Sequence, residues 1–125
     1  MASKQEPMAP EVVEQLRENT FASLALFASR KMQLDYQNDV PYADIMSELF
    51  ARWDDTYGHD SSGFKALFNA REQELLDDFD ALIIEVCASE EASNLNEFID
   101  SPNWQKLSRA ARAILAELQL ELPEP

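Results

Sequence analysis

Residues 71–100 read REQELLDDFDALIIEVCASEEASNLNEFID, and their pattern indicates the fold class. Apolar residues recur at intervals of three and four, the repeat that places them on one side of an α-helix. The acids of the first half gather on the opposite side: Glu74, Asp77, Asp78 and Glu85. The pattern therefore predicts an amphipathic helix with a solvated acidic side.

The same stretch carries an unusual charge. Ten carboxylates and no lysine or arginine lie between Glu72 and Asp100, in a chain whose formal net charge is −14. A phosphate backbone or an anionic membrane surface attracts positive proteins, so this charge argues against direct nucleic-acid binding and against membrane binding. It is compatible with a basic protein partner, with a divalent cation, or with solubility alone.

Apolar stripes predict two helices in the first half of the chain. Pro10 suits the first position of a helix, which we expect to run to about Met32 or Leu34. Pro41 can open the second helix, whose apolar side ends at Tyr57. The segment that follows, DDTYGHDSSG, holds both glycines of the chain and predicts a turn.

Three more helices are expected after this turn. The third begins after Ser61 or Ser62, either of which can cap it, and carries its apolar stripe to Cys87. Asn94, followed three residues later by Glu97, predicts the capped start of a short helix. Ser101, which precedes a proline, can cap the last helix.

These patterns together predict an all-α fold. We expect a compact bundle of four main helices plus one short helix, in a single domain over residues 1–125. The polar or proline-bearing ends, 1–9 and 122–125, are expected to be frayed. No apolar run approaches a signal peptide or a membrane span, and the single cysteine allows no internal disulfide, so the prediction is a cytoplasmic protein.

The sequence offers few arrangements for nucleophilic catalysis, with one cysteine and one histidine. Cys87 and His59 are the only candidate nucleophile and base, and Cys87 falls on the apolar helix side, where nothing would lower its pKa. A di-iron bundle needs two Glu-x-x-His motifs, and the chain has one histidine, in the predicted turn. We therefore expect no enzyme activity and no cofactor.

Glu72 differs from the other acids because it projects onto the apolar side of its helix. A carboxylate in such a position can be a functional group with a raised pKa. More often it pairs with an arginine, and Arg71 and Arg52 are available for this. We therefore favour a structural role for Glu72 over a functional one.

Residues 95–118, LNEFIDSPNWQKLSRAARAILAEL, resemble a segment of small accessory proteins of tailed phages. Those proteins have a Phe-Ile pair, a short gap, an aromatic residue with a leucine three positions later, and then a helix of leucine and arginine. The matching residues are Phe98, Ile99, Trp104, Leu107 and Leu115. The resemblance implies a mobile-element protein, for which inhibition of a host or rival factor is a natural role.

A second resemblance concerns the all-α nucleotide pyrophosphatases of the MazG and dimeric dUTPase type. Their metal motif pairs Glu-Glu-x-x-Glu on one helix with Glu-x-x-Asp on the next. EFID matches the second half at Glu97 and Asp100, whereas EQELLDD does not match the first. The resemblance implies magnesium ligands at these two residues and a nucleotide pyrophosphohydrolase as the alternative function.

The favoured prediction is a non-catalytic protein-binding factor, an inhibitor or immunity-type protein that occludes a basic partner. A DNA mimic is one form of it, since exposed carboxylates can stand in for phosphates. A homo-oligomer, such as a homodimer with a structural role, is the third alternative. The predicted partner-binding residues are Asp54, Asp55, Asp60, Glu74, Asp77, Asp78, Asp80, Glu85, Glu90 and Glu91.

Overall fold

The computed structural model describes residues 9–58 and 62–124. Within these ranges the chain forms seven α-helices and one π-helical turn, with no strand. The elements are α1 (Pro10–Phe27), α2 (Arg30–Asp39), α3 (Ile45–Trp53), the π-helical turn (Asp54–Gly58), α4 (Ser62–Lys65), α5 (Ala70–Ser89), α6 (Leu95–Ile99) and α7 (Pro102–Glu117). The all-α prediction is confirmed for the described residues, but the division into helices differs from the expected four-plus-one arrangement.

The first predicted helix is two helices, so its expected continuation to Met32 or Leu34 is wrong. Ser29 has an extended backbone and caps α2, where its Oγ accepts a hydrogen bond from the Met32 backbone N–H at 3.1 Å. The Gln33 side-chain amide then donates to the Leu26 carbonyl at 2.9 Å, which satisfies a carbonyl at the end of α1. Capping groups therefore interrupt a helix through which the apolar stripe continues.

The third predicted helix is divided in the same way, into α4 and α5. Asn69 begins α5 with a reciprocal capping box: its Oδ1 accepts from the Glu72 backbone N–H at 2.8 Å, and the Glu72 carboxylate accepts from the Asn69 N–H at 2.9 Å. Each side chain thus accepts a hydrogen bond from the backbone N–H of the other residue. This cap ends the preceding segment and starts the long helix that carries most of the acids.

The other helix starts follow local sequence signals. α3 begins at Ile45 rather than at Pro41, because Asp44 accepts hydrogen bonds from Ser47 N and Oγ at 3.1 and 2.8 Å. Those bonds hold the pKa of the Asp44 carboxyl below its ordinary value. Asn94 caps α6 and Ser101 caps α7, as the sequence predicts.

The core is built around aromatic side chains from several helices. The Phe27 ring of α1 lies 5.3 Å from that of Phe79 in α5 and 6.2 Å from Trp53 in α3, in edge-to-face arrangements. Phe98 of α6 extends the cluster to Trp104 of α7, at a centroid distance of 5.7 Å. These contacts fix one side of α5 to the core and leave its other side to solvent. None of the helices within the described ranges combines the length and apolar character that crossing a membrane requires.

Candidate functional site

One side of α5 is exposed along much of its length, and we call it the acidic face. Its residues share a direction because helical residues three, four and seven apart lie on one side. The acidic face consists of Glu74, Asp77, Asp78, Ala81, Ile84 and Glu85. Ile84 is 63% exposed, although its neighbour Ile83 is buried at 6%. The face therefore combines carboxylates with an exposed branched apolar side chain.

Cations compensate only part of this charge. Glu74 forms an ion pair with Arg71, which also pairs with Glu117 of α7. Asp77 lies 3.3 Å from the Lys65 ammonium of α4. In contrast, the side chains of Asp78 and Glu85 make no hydrogen bond or ion pair with any described residue. Two carboxylates without a partner among the described residues thus lie on the same side of α5, two helical turns apart.

Asp77 and Asp80 also form hydrogen bonds that join α5 to the core. Asp77 accepts a hydrogen bond from the Tyr57 hydroxyl at 2.6 Å, and Asp80 accepts one from Trp53 Nε1 at 2.9 Å. Burial, together with the neighbouring Asp77 carboxylate, raises the pKa of Tyr57 far above its ordinary value. The half-buried Asp80 is committed to this internal bond, whereas Asp77 remains partly exposed.

Glu72 has a structural role, as favoured from the sequence, but neither expected arginine is its partner. Arg17 of α1 donates from two guanidinium nitrogens to the two Glu72 oxygens, at 2.7 and 2.8 Å. These bonds, with the capping bond from Asn69, outweigh burial and hold the pKa of Glu72 below its ordinary value. The two candidates closer in sequence do not pair with Glu72: Arg71 pairs with Glu74 and Glu117, and Arg52 of α3 forms no ion pair with any described residue.

Glu90 joins the end of α5 to the start of α7. Its carboxylate accepts from the backbone N–H groups of Glu91 and Ala92 at 3.0 and 2.8 Å. It also accepts from Ser101 Oγ and Asn103 Nδ2, both at 3.1 Å. Burial opposes its ionisation, but the four hydrogen bonds prevail and lower its pKa. Glu90 is half-buried and committed to this junction.

The remaining predicted partner-binding acids lie outside the acidic face. Asp54 and Asp55 are exposed in the π-helical turn, which packs against α5. Glu91 is exposed in the loop after α5. Asp60, like the candidate base His59, lies outside the described residues.

The two acids of the alternative metal site belong to α6 and its end. Glu97 accepts a hydrogen bond from Ser93 N at 3.2 Å, and Asp100 pairs with Arg30 of α2 at 2.8 Å. Across residues 9–58 and 62–124, no three histidine, cysteine or acidic side chains come close enough together to hold a metal ion. Each of the two carboxylates is thus occupied by a donor from the protein itself.

Cys87 is exposed, so the prediction that it faces the core is wrong. The core side of α5 passes instead through Ile83 and Val86, which are buried. The thiol keeps partial contact with the protein, and this desolvation raises its pKa. A thiol with a raised pKa is a poor nucleophile at neutral pH.

Sequence inspection missed Ile84, the residue that distinguishes the acidic face from an ordinary solvated helix side. The sequence carried only a partial signal, the pair Ile83–Ile84: adjacent residues of a helix point 100° apart, so the two cannot both lie at the centre of a narrow apolar stripe. Comparison of the chain with protein-family models, with curated proteins and with solved structures finds no significant match. The two resemblances noted in the sequence remain expectations.

Proposed function

We propose that this protein is a binding factor for a basic protein, and that the acidic face of α5 is its contact surface. The observation that carries the proposal is the exposure of Ile84 beside Asp78 and Glu85, two carboxylates that no described residue compensates. Burial of such an exposed apolar side chain under a partner stabilises the complex. The carboxylates around it select a partner of positive charge.

The two kinds of residue have different roles in this proposal. The net charge of −14 attracts a positive surface over long range and accelerates encounter. Affinity comes from a few anchors that lose water on binding, with charged residues at their rim. Ile84 is the anchor, while Asp78 and Glu85 form the rim, and the exposed Asp54 and Asp55 of the π-helical turn add negative charge.

The form of action that suits this surface is occlusion. A basic cleft covered by the acidic face cannot bind its own anionic substrate, which is how an inhibitor or immunity-type protein acts. Where that substrate is a nucleic acid, the carboxylates of α5 take the place of phosphates and the protein acts as a DNA mimic. The expected compartment is the cytoplasm.

The test compares two charge-reversed variants that change the net charge equally. Asp78→Lys/Glu85→Lys alters the acidic face, and Glu14→Lys/Glu18→Lys alters exposed acids of α1. Each immobilised protein is incubated with native cell lysate at about 0.05 M salt and again at about 0.5 M salt. At the higher concentration exposed charges are screened within a few ångströms. Captured proteins are identified by mass, purified and titrated against each variant.

The proposal expects a basic protein that the unmodified chain and the α1 variant capture at low salt and lose at high salt. The α5 variant should bind the purified partner at least about tenfold more weakly, since both rim charges now repel it. Equal binding by the two variants would contradict the assigned surface. Failure to capture a basic protein at low salt would count against the function itself.

A further inference from the structure

A cavity of ≈ 610 Å³ opens on another part of the molecule. Its walls come from α1, α2, the end of α3, the π-helical turn and the chain that follows α7. The last wall is held in place by Arg112, which donates to the Ala28 and Pro123 carbonyls at 2.9 and 3.0 Å. Its volume lies within the range of pockets that bind small molecules.

Ser23 lines this cavity, and its hydroxyl has no hydrogen-bond partner among the described residues. The residue is 2% exposed, and within the described chain its Oγ is the one buried side-chain nitrogen or oxygen atom without a hydrogen bond. Buried hydroxyls are nearly always bonded, because desolvation without a partner is costly. Ser23 Oγ is itself shielded from the cavity, so recognition of a ligand falls to the other lining side chains.

Arg52 lines the same cavity with an uncommitted cation. Its guanidinium forms no ion pair or hydrogen bond with the described residues, although Glu48 lies one turn earlier on α3. A guanidinium presents several donors in a plane that suits carboxylate or phosphate oxygens. Leu26 and Met32 add apolar surface nearby, and Met32 is 42% exposed.

We propose that the cavity binds a small organic anion, a carboxylate or a phosphate monoester with a short apolar chain. Its oxygens accept hydrogen bonds from the Arg52 guanidinium, and its chain lies against Leu26 and Met32. Glu121 also lines the cavity, and its carboxylate opposes an anionic ligand. The cavity contains no residue of α5 in its lining, so this site and the acidic face stand or fall separately.

The test titrates the intact protein with hexanoate and hexyl phosphate, followed by amide proton and nitrogen shifts. We expect shifts confined to the residues of the cavity walls, with a dissociation constant of about 1 mM for at least one anion. Hexylamine, with a similar chain and the opposite charge, should bind at least about tenfold more weakly. No shift with either anion up to about 20 mM, or equal binding of hexylamine, would overturn the proposal.

Matched variants locate the site. Arg52→Gln should weaken binding at least about tenfold, whereas Arg109→Gln, at an exposed arginine of α7 outside the cavity lining, should not. Glu121→Gln should strengthen it. Equal loss in the two arginine variants would contradict the assigned site.

Discussion

Arg17 and Glu72 meet across the junction of α1 and α5 in a bidentate ion pair, with N–O distances of 2.7 and 2.8 Å. The Arg17 guanidinium also donates to the Leu67 carbonyl at 3.0 Å and lies 5.4 Å from the centre of the Phe68 ring. Glu72 in turn caps the start of its own helix. A single pair thus joins α1, the segment before α5, and α5 itself.

Loss of this pair should destabilise the protein measurably. Arg17→Met would leave Glu72, whose side chain is 9% exposed, without its cation, and we expect unfolding to cost about 2 kcal/mol less. Chemical denaturation measures this. The control is Lys31→Met, which removes the exposed pair with Asp35 and should leave the midpoint of chemical denaturation nearly unchanged. Equal effects of the two substitutions would contradict a special role for Arg17.

The same pair predicts a pH dependence. Because the folded pKa of Glu72 lies below its unfolded value of about 4.3, its stabilisation is complete above that value and is lost as pH falls through the folded pKa. Glu72→Gln should therefore lower stability at pH 7 and make its decline between pH 5 and about pH 3 less steep. Denaturation at a series of pH values measures both. In an Arg17→Met background the same substitution should change the slope far less; an undiminished change would exclude Arg17 as the main cause.

Asp78 and Asp80 lie two residues apart on α5 but should respond differently to truncation. Asp80→Ala leaves the buried Trp53 indole N–H without its acceptor, and we expect a loss of about 1–2 kcal/mol. Asp78→Ala removes no bond within the described structure and should stay within about 0.5 kcal/mol. Denaturant unfolding of both variants checks this difference. A loss at Asp78 as large as that at Asp80 would be inconsistent with the Trp53 contact.

Ile83 and Ile84 provide an internal test of which side of α5 faces the core. Ile83→Ala should lower the free energy of unfolding by about 2–4 kcal/mol, because Ile83 is 6% exposed and its truncation leaves a cavity. Ile84→Ala, at 63% exposure, should change it by less than about 0.5 kcal/mol. The second variant should nevertheless bind the proposed basic partner more weakly. Retained affinity in Ile84→Ala would remove the apolar anchor from the proposed contact surface.

Sequence patterns predicted the helical class because the apolar repeat is a local property of each segment. Asn94 and Ser101 also marked helix starts correctly, since a capping side chain bonds to backbone groups only three residues away. Asn69 with Glu72 carries the same spacing, and Ser29 precedes α2 in the same way. Those two starts were overlooked because the apolar stripe continues through both breaks.

The candidate site was likewise predictable from the sequence only in part. The acids of α5 and their shared direction follow from helical spacing, so Glu74, Asp77, Asp78 and Glu85 were placed on one side from the sequence alone. Which of them remain open to a partner depends on contacts with distant segments. Lys65 reaches Asp77 and Trp53 reaches Asp80, and no local pattern encodes either contact.

The amino-acid sequence by itself determined that this protein is helical, strongly acidic and amphipathic along α5. Composition and nearest-neighbour geometry suffice for those properties. Tertiary structure alone decided that Arg17 neutralises Glu72, that Ile84 and Cys87 face solvent, and that Ser23 and Arg52 line one cavity. Each of these depends on how whole helices pack, because a side chain's partners and burial are set by residues tens of positions away in the chain.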